Sequence, residues 1–166
     1  MNCLINYFSQ IPPEIATVII AMLPIAELRG AIPVAIGIYH LPPAVAYFLS
    51  IIGNIIPVIF ILWLIEPVSG FLMKRIKLCR RFFNWLFERT RANHNHKFEK
   101  WGALALIAFV AIPLPMTGGW TGALAAFVFG IPFKKALPLI FLGIMIAGVI
   151  VTVMSLGAVE AFDVGN

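Results

Sequence analysis

Four stretches of this chain, residues 13–39, 43–66, 102–130 and 133–159, are apolar almost from end to end. A soluble domain of 166 residues has no interior large enough for a chain that is 61% hydrophobic and 11% charged. Lipid is the solvent that this pattern requires, since a helix crosses the hydrocarbon core of a bilayer with about 20 apolar residues. The expected class is therefore an all-α integral membrane protein, with residues 1–166 forming a single membrane domain.

The charges sort by region. Nine of the twelve Lys and Arg lie in residues 71–101, "FLMKRIKLCRRFFNWLFERTRANHNHKFEKW". In its first part Leu72, Ile76, Cys79, Phe83 and Leu86 recur at helical spacing, while Lys74, Lys77 and Arg81 fall on other faces. That pattern predicts an amphipathic helix over 71–88, lying in the headgroup layer inside a basic linker over 67–101. A nucleic-acid surface does not fit beside membrane segments. The N-terminal "MNCLINYFSQIPPE" lacks the basic start of a cleavable leader. Cys3 and Cys79 are far apart, and His94 and His96 at i, i+2 suit a polar loop better than a metal site. Glu66, just before Pro67, is expected to cap the helix that follows. No cofactor and no metal are expected.

The two halves resemble each other. "LPIAELRGAIPVAIGIYHLP" ends at Pro42, eleven residues before Gly53, and "IPLPMTGGWTGALAAFVFGIP" ends at Pro132, eleven residues before Gly143. The offset is 90, and one residue of slack sets Pro24 over Pro113 and Gly30 over Gly119. Each half, 13–66 and 102–159, is thus a Pro/Gly-interrupted apolar stretch followed by an uninterrupted one. If the interrupted stretches enter the membrane and return, residues 71–101 and Lys134/Lys135 share one face. The positive-inside bias makes that face cytoplasmic in a multi-pass protein of the cell (plasma or inner) membrane. Two such stretches entering from opposite faces make an inverted repeat of re-entrant helical hairpin plus transmembrane helix, with the interfacial helix between the repeats. Transporters place substrate where broken segments of this kind meet.

Within the first interrupted stretch stand Glu27 and Arg29. A charge near the bilayer centre costs roughly 2.5–3.5 kcal/mol on insertion scales. At i, i+2 the two do not face each other on a regular helix, although a break at Gly30 could let them pair. Separate tasks are the sharper reading. Arg29 offers a planar fork for phosphate or carboxylate, and a desolvated Glu27 could carry a proton. "MTGGWTG" supplies the hydroxyls of Thr117 and Thr121 and approachable amides around Gly118 and Gly119 that could cradle an anion. Trp120 is a gate or a filler.

No catalytic motif is present: no G-x-S-x-G, H-E-x-x-H or P-loop lysine occurs. A non-enzyme is expected. "P-x-x-E-L-R-G-A-I-P" together with "P-L-P-x-T-G-x-W-T-G" resembles the small multidrug export protein family, itself similar to the larger DedA, or SNARE-associated, superfamily. The resemblance covers nearly the whole chain. It implies two facing re-entrant hairpins and a role in moving a solute or lipid headgroup, with proton coupling. Its motif positions fall here on Glu27, Arg29, Gly30, Pro33, Pro113, Pro115, Thr117, Gly118, Trp120, Thr121 and Gly122. DedA members carry arginines in their second half, and this second hairpin has none. The expected function is a proton-coupled secondary transporter or flippase for an anionic or amphipathic substrate, a phosphate lipid among the candidates. The alternative is a non-transporting membrane assembly protein whose Glu27 and Arg29 lock the hairpins together. Expected partners are membrane lipids, the substrate, protons and further copies of the chain in a homo-oligomer.

Overall fold

The computed structural model describes residues 11–75, 96–113 and 117–163, and these form six helices. They are α1 (Pro13–Met22), α2 (Glu27–Gly37), α3 (Pro43–Arg75), α4 (His96–Ala111), α5 (Gly119–Val128) and α6 (Phe133–Asp163). No strand occurs among the described residues. Each interrupted apolar stretch is two short helices packed on each other, and each uninterrupted one is a single long helix.

Two helices are long and apolar enough to cross a membrane: Pro43–Phe71, of mean hydropathy 2.5, and Phe133–Val159, of mean hydropathy 2.7. In the apolar 18-residue window of each, 39% is buried within the protein, whereas a core helix of a soluble fold is mostly buried. Large apolar side chains such as Phe48, Phe60, Trp63, Val149 and Val153 lie on the outer surface, where lipid would cover them.

The principal packing pairs divide evenly between the halves. α1 packs on α2 and α3, and α2 on α3, as α4 packs on α5 and α6, and α5 on α6. α3 crosses α6, α2 reaches over to α6, and α5 reaches over to α3. The buried faces of the long helices repeat as well. Ala46, Ser50, Gly53, Asn54, Pro57 and Val58 are buried on α3, and Ala136, Ile140, Gly143, Ile144, Ala147 and Gly148 at the same spacing on α6. Gly53 lies against Val18 and Ala21 of α1, and Gly143 against Ile107 and Val110 of α4. A side chain at either glycine would force the helices apart.

The repeat register is not uniform. Those glycine contacts relate α1 to α4 by 89 residues, in keeping with Pro24 over Pro113. Glu27, Leu28, Ala31, Ile32 and Ala35 of the first half are buried like Gly118, Gly119, Gly122, Ala123 and Ala126 of the second, a shift of 91. The α4–α5 connection is longer, so Gly118 is the partner in register of Glu27, and Gly30 lies over Thr121 instead of Gly119. The four described residues with positive φ are Glu27 (47°), His40 (51°), Gly118 (149°) and Gly130 (67°). Glu27 and Gly118 are 91 apart, whereas His40 and Gly130, just before the long helices, keep the offset of 90.

Three sequence expectations change in detail. The first stretch breaks at residues 23–26, and α2 then runs unbroken through Gly30 and Pro33. α3 continues through Pro67 to Arg75, so no new helix begins after Glu66. His96 opens α4 instead of lying in a polar loop. The body of the expected interfacial helix, residues 76–88, and His94 lie outside the described residues.

Candidate functional site

The tips of the two short-helix pairs meet, and Glu27 and Arg29 make the junction. Glu27 begins α2 with φ 47°, a left-handed conformation that disfavours any residue but glycine. Its counterpart in the second half is a glycine. A carboxylate is kept where the backbone would favour none, a pattern expected when the side chain has a task.

That task is visible locally. α5 starts with no side-chain cap of its own, so its first amides need an acceptor. The Glu27 carboxylate, with the residue 6% exposed, supplies it from the other half. The Trp120 N–H donates to Glu27 Oε1 at 3.4 Å, and the Gly119 amide also faces the carboxylate. The helix N-terminus adds a favourable field for a negative group. Gly118, φ 149° and ψ −162°, lies directly over this carboxylate, and a Cβ there would collide with it.

Arg29 is two residues further along α2 and turns elsewhere. Its Nη2 donates to Thr117 Oγ1 at 2.9 Å and to the Ile112 carbonyl at 3.4 Å, and the Thr117 hydroxyl donates to the same carbonyl at 2.9 Å. Both charges of the first half thus bind the second half through different groups, while still attracting each other through space. Arg29 also lines an open cleft of about 450 Å³, together with Pro33, Pro113 and residues of the last turns of α6 between Val151 and Val159. Apart from the guanidinium and Ser155, that lining is apolar.

The other residues singled out from sequence divide. Thr117, Gly118, Gly119 and Trp120 meet Glu27 or Arg29, and Pro33 and Pro113 line the cleft. The amides at the start of α5, expected from the sequence to be approachable, face the Glu27 carboxyl group in this structure. Thr121 only turns its hydroxyl back to the Gly118 carbonyl, at 3.4 Å. Gly122 admits Val110 of α4, which makes it a packing glycine. Gly30 brings its backbone close to Ala26, away from both charges' partners. Pro115 lies outside the described residues. Among those residues, no cluster of His, Cys, Asp and Glu could hold a metal.

Sequence reasoning missed Asn54. It is fully buried on α3, its side-chain oxygen lies against Gly119, and its amide neighbours the Glu27 carboxylate. Neither atom of that amide finds a hydrogen-bond partner of good geometry. The signal was present, since an amide inside a membrane-length apolar run is expensive and therefore informative. The apolar wall of the cleft on α6 was also missed, because nothing in "GVIVTVMSLGAV" distinguishes a cleft wall from a lipid-facing surface.

An all-helical chain with two membrane-length helices and a buried charged junction between broken helices belongs with membrane proteins. More narrowly, the model of the family described as "Putative small multi-drug export protein" matches residues 27–150, most of the chain, and the chain belongs to that family. The match begins at Glu27 itself. No curated protein and no solved structure matches the chain.

Proposed function

We propose that the protein is a proton-coupled secondary transporter or flippase that moves an anionic or amphipathic substrate across the cell membrane. The observation that carries this reading is that Arg29 lines a cleft whose other walls, Ser155 apart, are apolar. An anionic head on Arg29 and an apolar body along α6 would satisfy both parts of that lining. The description of the family, with its reference to export, points the same way. Glu27, able to take a proton, would be the coupling group. The likeness to DedA proteins belongs to this reading and rests on the motifs alone.

The topology that goes with it is re-entrant and inverted. α1 has 10 residues and α2 has 11, and at 1.5 Å per residue each reaches only about 15 Å, half of a bilayer core. Paired short helices that enter and return fit that length. Lys134 and Lys135 then share the cytoplasmic face with the basic region 71–101. Single cysteines at positions 97 and 135, in a chain without Cys3 and Cys79, should both react with an impermeant reagent from the cytoplasmic side only. Labelling from opposite sides would end the inverted-repeat reading.

The functional test is flux in proteoliposomes under an imposed pH gradient, with three probes: a cationic dye, a short-chain phosphate lipid and a simple organic anion. Gradient-dependent movement of the phosphate lipid or the anion is expected. Movement of the cationic dye alone, or no movement of any probe by folded protein, would overturn the proposal. A second reading, in which the two charges only lock the broken segments together, draws on the contacts of Glu27 with Trp120 and Arg29 with Thr117. The charge series described below separates the two.

A further inference from the structure

The two long helices have matching buried faces, and the mismatch within that match is informative. At the positions that correspond by the offset of 90, α6 carries Ile140 and Ile144 where α3 carries Ser50 and Asn54. All four side chains are fully buried. The packing role of these positions is therefore met by aliphatic side chains in one half. In the other half it is met by a hydroxyl and an amide, whose burial costs free energy unless their hydrogen bonds are made. Ser50 Oγ, Asn54 Nδ2 and Asn54 Oδ1 make none of good geometry with the protein. The polar half is also the half that faces a carboxylate: the Asn54 amide neighbours Glu27.

We propose that Asn54, with Ser50 one turn behind it, holds an ordered water against the Glu27 carboxylate and forms the polar path by which that carboxyl exchanges its proton. The inference rests on the proton-coupled reading given above. Water suits the orphaned atoms better than a metal cation does. The amide leaves both a donor and an acceptor unmet, and water answers both. A cation would answer only the oxygens, and it would sit beside Arg29 and the positive end of α5. Ser50 and Asn54 stand at i, i+4 on one face of α3, so the path runs from Glu27 toward the Pro43 end of that helix. Arg29 is the charged neighbour of Glu27. α5 has no ionisable group, and α1 has only Glu14 in its first turn. The charges of α6 lie at its two ends, and those of α3 lie at Glu66, Lys74 and Arg75. The Tyr47 hydroxyl of α3 is engaged by the Met145 carbonyl.

The test uses the full chain in lipid nanodiscs. In a sample labelled with ¹⁵N at asparagine, the Asn54 side-chain amide should show a cross-peak to a long-lived water, and Asn54→Leu identifies the signal by removing it. In infrared spectra the Glu27 carboxyl band is identified by its loss in Glu27→Gln, and its hydrogen–deuterium exchange is timed. Asn54→Leu should slow that exchange by about tenfold, the effect of losing one hydrogen-bonded partner. Asn54→Ser, which keeps a polar atom and makes room for water, should exchange near the wild-type rate. The aliphatic counterpart at Ile144 implies that Asn54→Leu still folds, and its unfolding temperature checks this. Absence of the water cross-peak, or exchange in folded Asn54→Leu at the wild-type rate while the Glu27 band still titrates, overturns the inference alone. A Glu27 band fixed in one form at every pH overturns the proton-coupled reading and the inference with it.

Discussion

Gly118→Ala is expected to be among the most damaging single substitutions in the chain. Its φ of 149° and ψ of −162° fall in a region open almost only to glycine, where a side chain costs about 1–3 kcal/mol. The added methyl also meets the Glu27 carboxylate, and overpacking of this kind costs about 1–3 kcal/mol more. The summed loss, roughly 2–6 kcal/mol, should appear as a large fall in unfolding temperature and as poor recovery of monodisperse protein. Glu27→Ala placed in the same chain clears the collision but leaves the backbone strain and uncaps α5. Partial recovery is therefore expected in the double variant, with a coupling of a kcal/mol or more between the sites. A Gly118→Ala protein as stable as the wild type would mean that the carboxylate does not sit under residue 118.

The charge series should give the largest changes in activity. Glu27→Gln keeps an oxygen for the Trp120 amide and nearly the same volume, so α5 stays capped. Flux driven by a pH gradient should nonetheless be abolished, while exchange without a gradient persists. Arg29→Lys keeps the charge but loses the planar fork that reaches Thr117 and the Ile112 carbonyl and that would hold an anionic head bidentately. A loss of one charge-assisted hydrogen bond corresponds to roughly ten- to a hundredfold in substrate flux. If the charges only lock the two halves, a different pattern follows. Each single neutralisation then leaves a buried charge without its compensation, at about 3–5 kcal/mol, and Glu27→Gln/Arg29→Gln recovers the fold. Full flux in that double variant, confirmed as folded, would favour the lock and remove both proposed roles.

Much of the fold was legible because lipid simplifies the reading. The four apolar stretches became the two pairs of short helices and the two long ones, since each apolar run in a membrane must satisfy its own backbone. Glu27 and Arg29 stood out for their cost. The relative register of the short helices was not legible, because it depends on the connections at residues 23–26 and 112–118, which differ in length by three residues and whose conformations no period encodes. That shift decides the site. It brings Gly118 over Glu27 and leaves Gly30 in ordinary packing. The anion-cradling capacity of "MTGGWTG" was readable, but its occupant was not, because the acceptor comes from 91 residues earlier in the chain. Asn54 went unremarked for a related reason. Its meaning comes from the Ile144 opposite it in the repeat and from the carboxylate beside it, neither of which is a local property.

The exchange of partners between halves also governs how the molecule is made. α2 docks on α6, and α5 docks on α3. A ribosome that has released α1, α2 and α3 has therefore delivered a helix pair with its long helix, but Glu27 still lacks the amides of residues 119 and 120, and Arg29 lacks Thr117. If that first half enters the bilayer as proposed, both charges go in without their final partners, and snorkelling, water or the insertion machinery would have to shelter them until the second half arrives. Closure of the junction waits for α5, so a chain truncated before it would leave a charged tip without its partners instead of a half-sized functional unit.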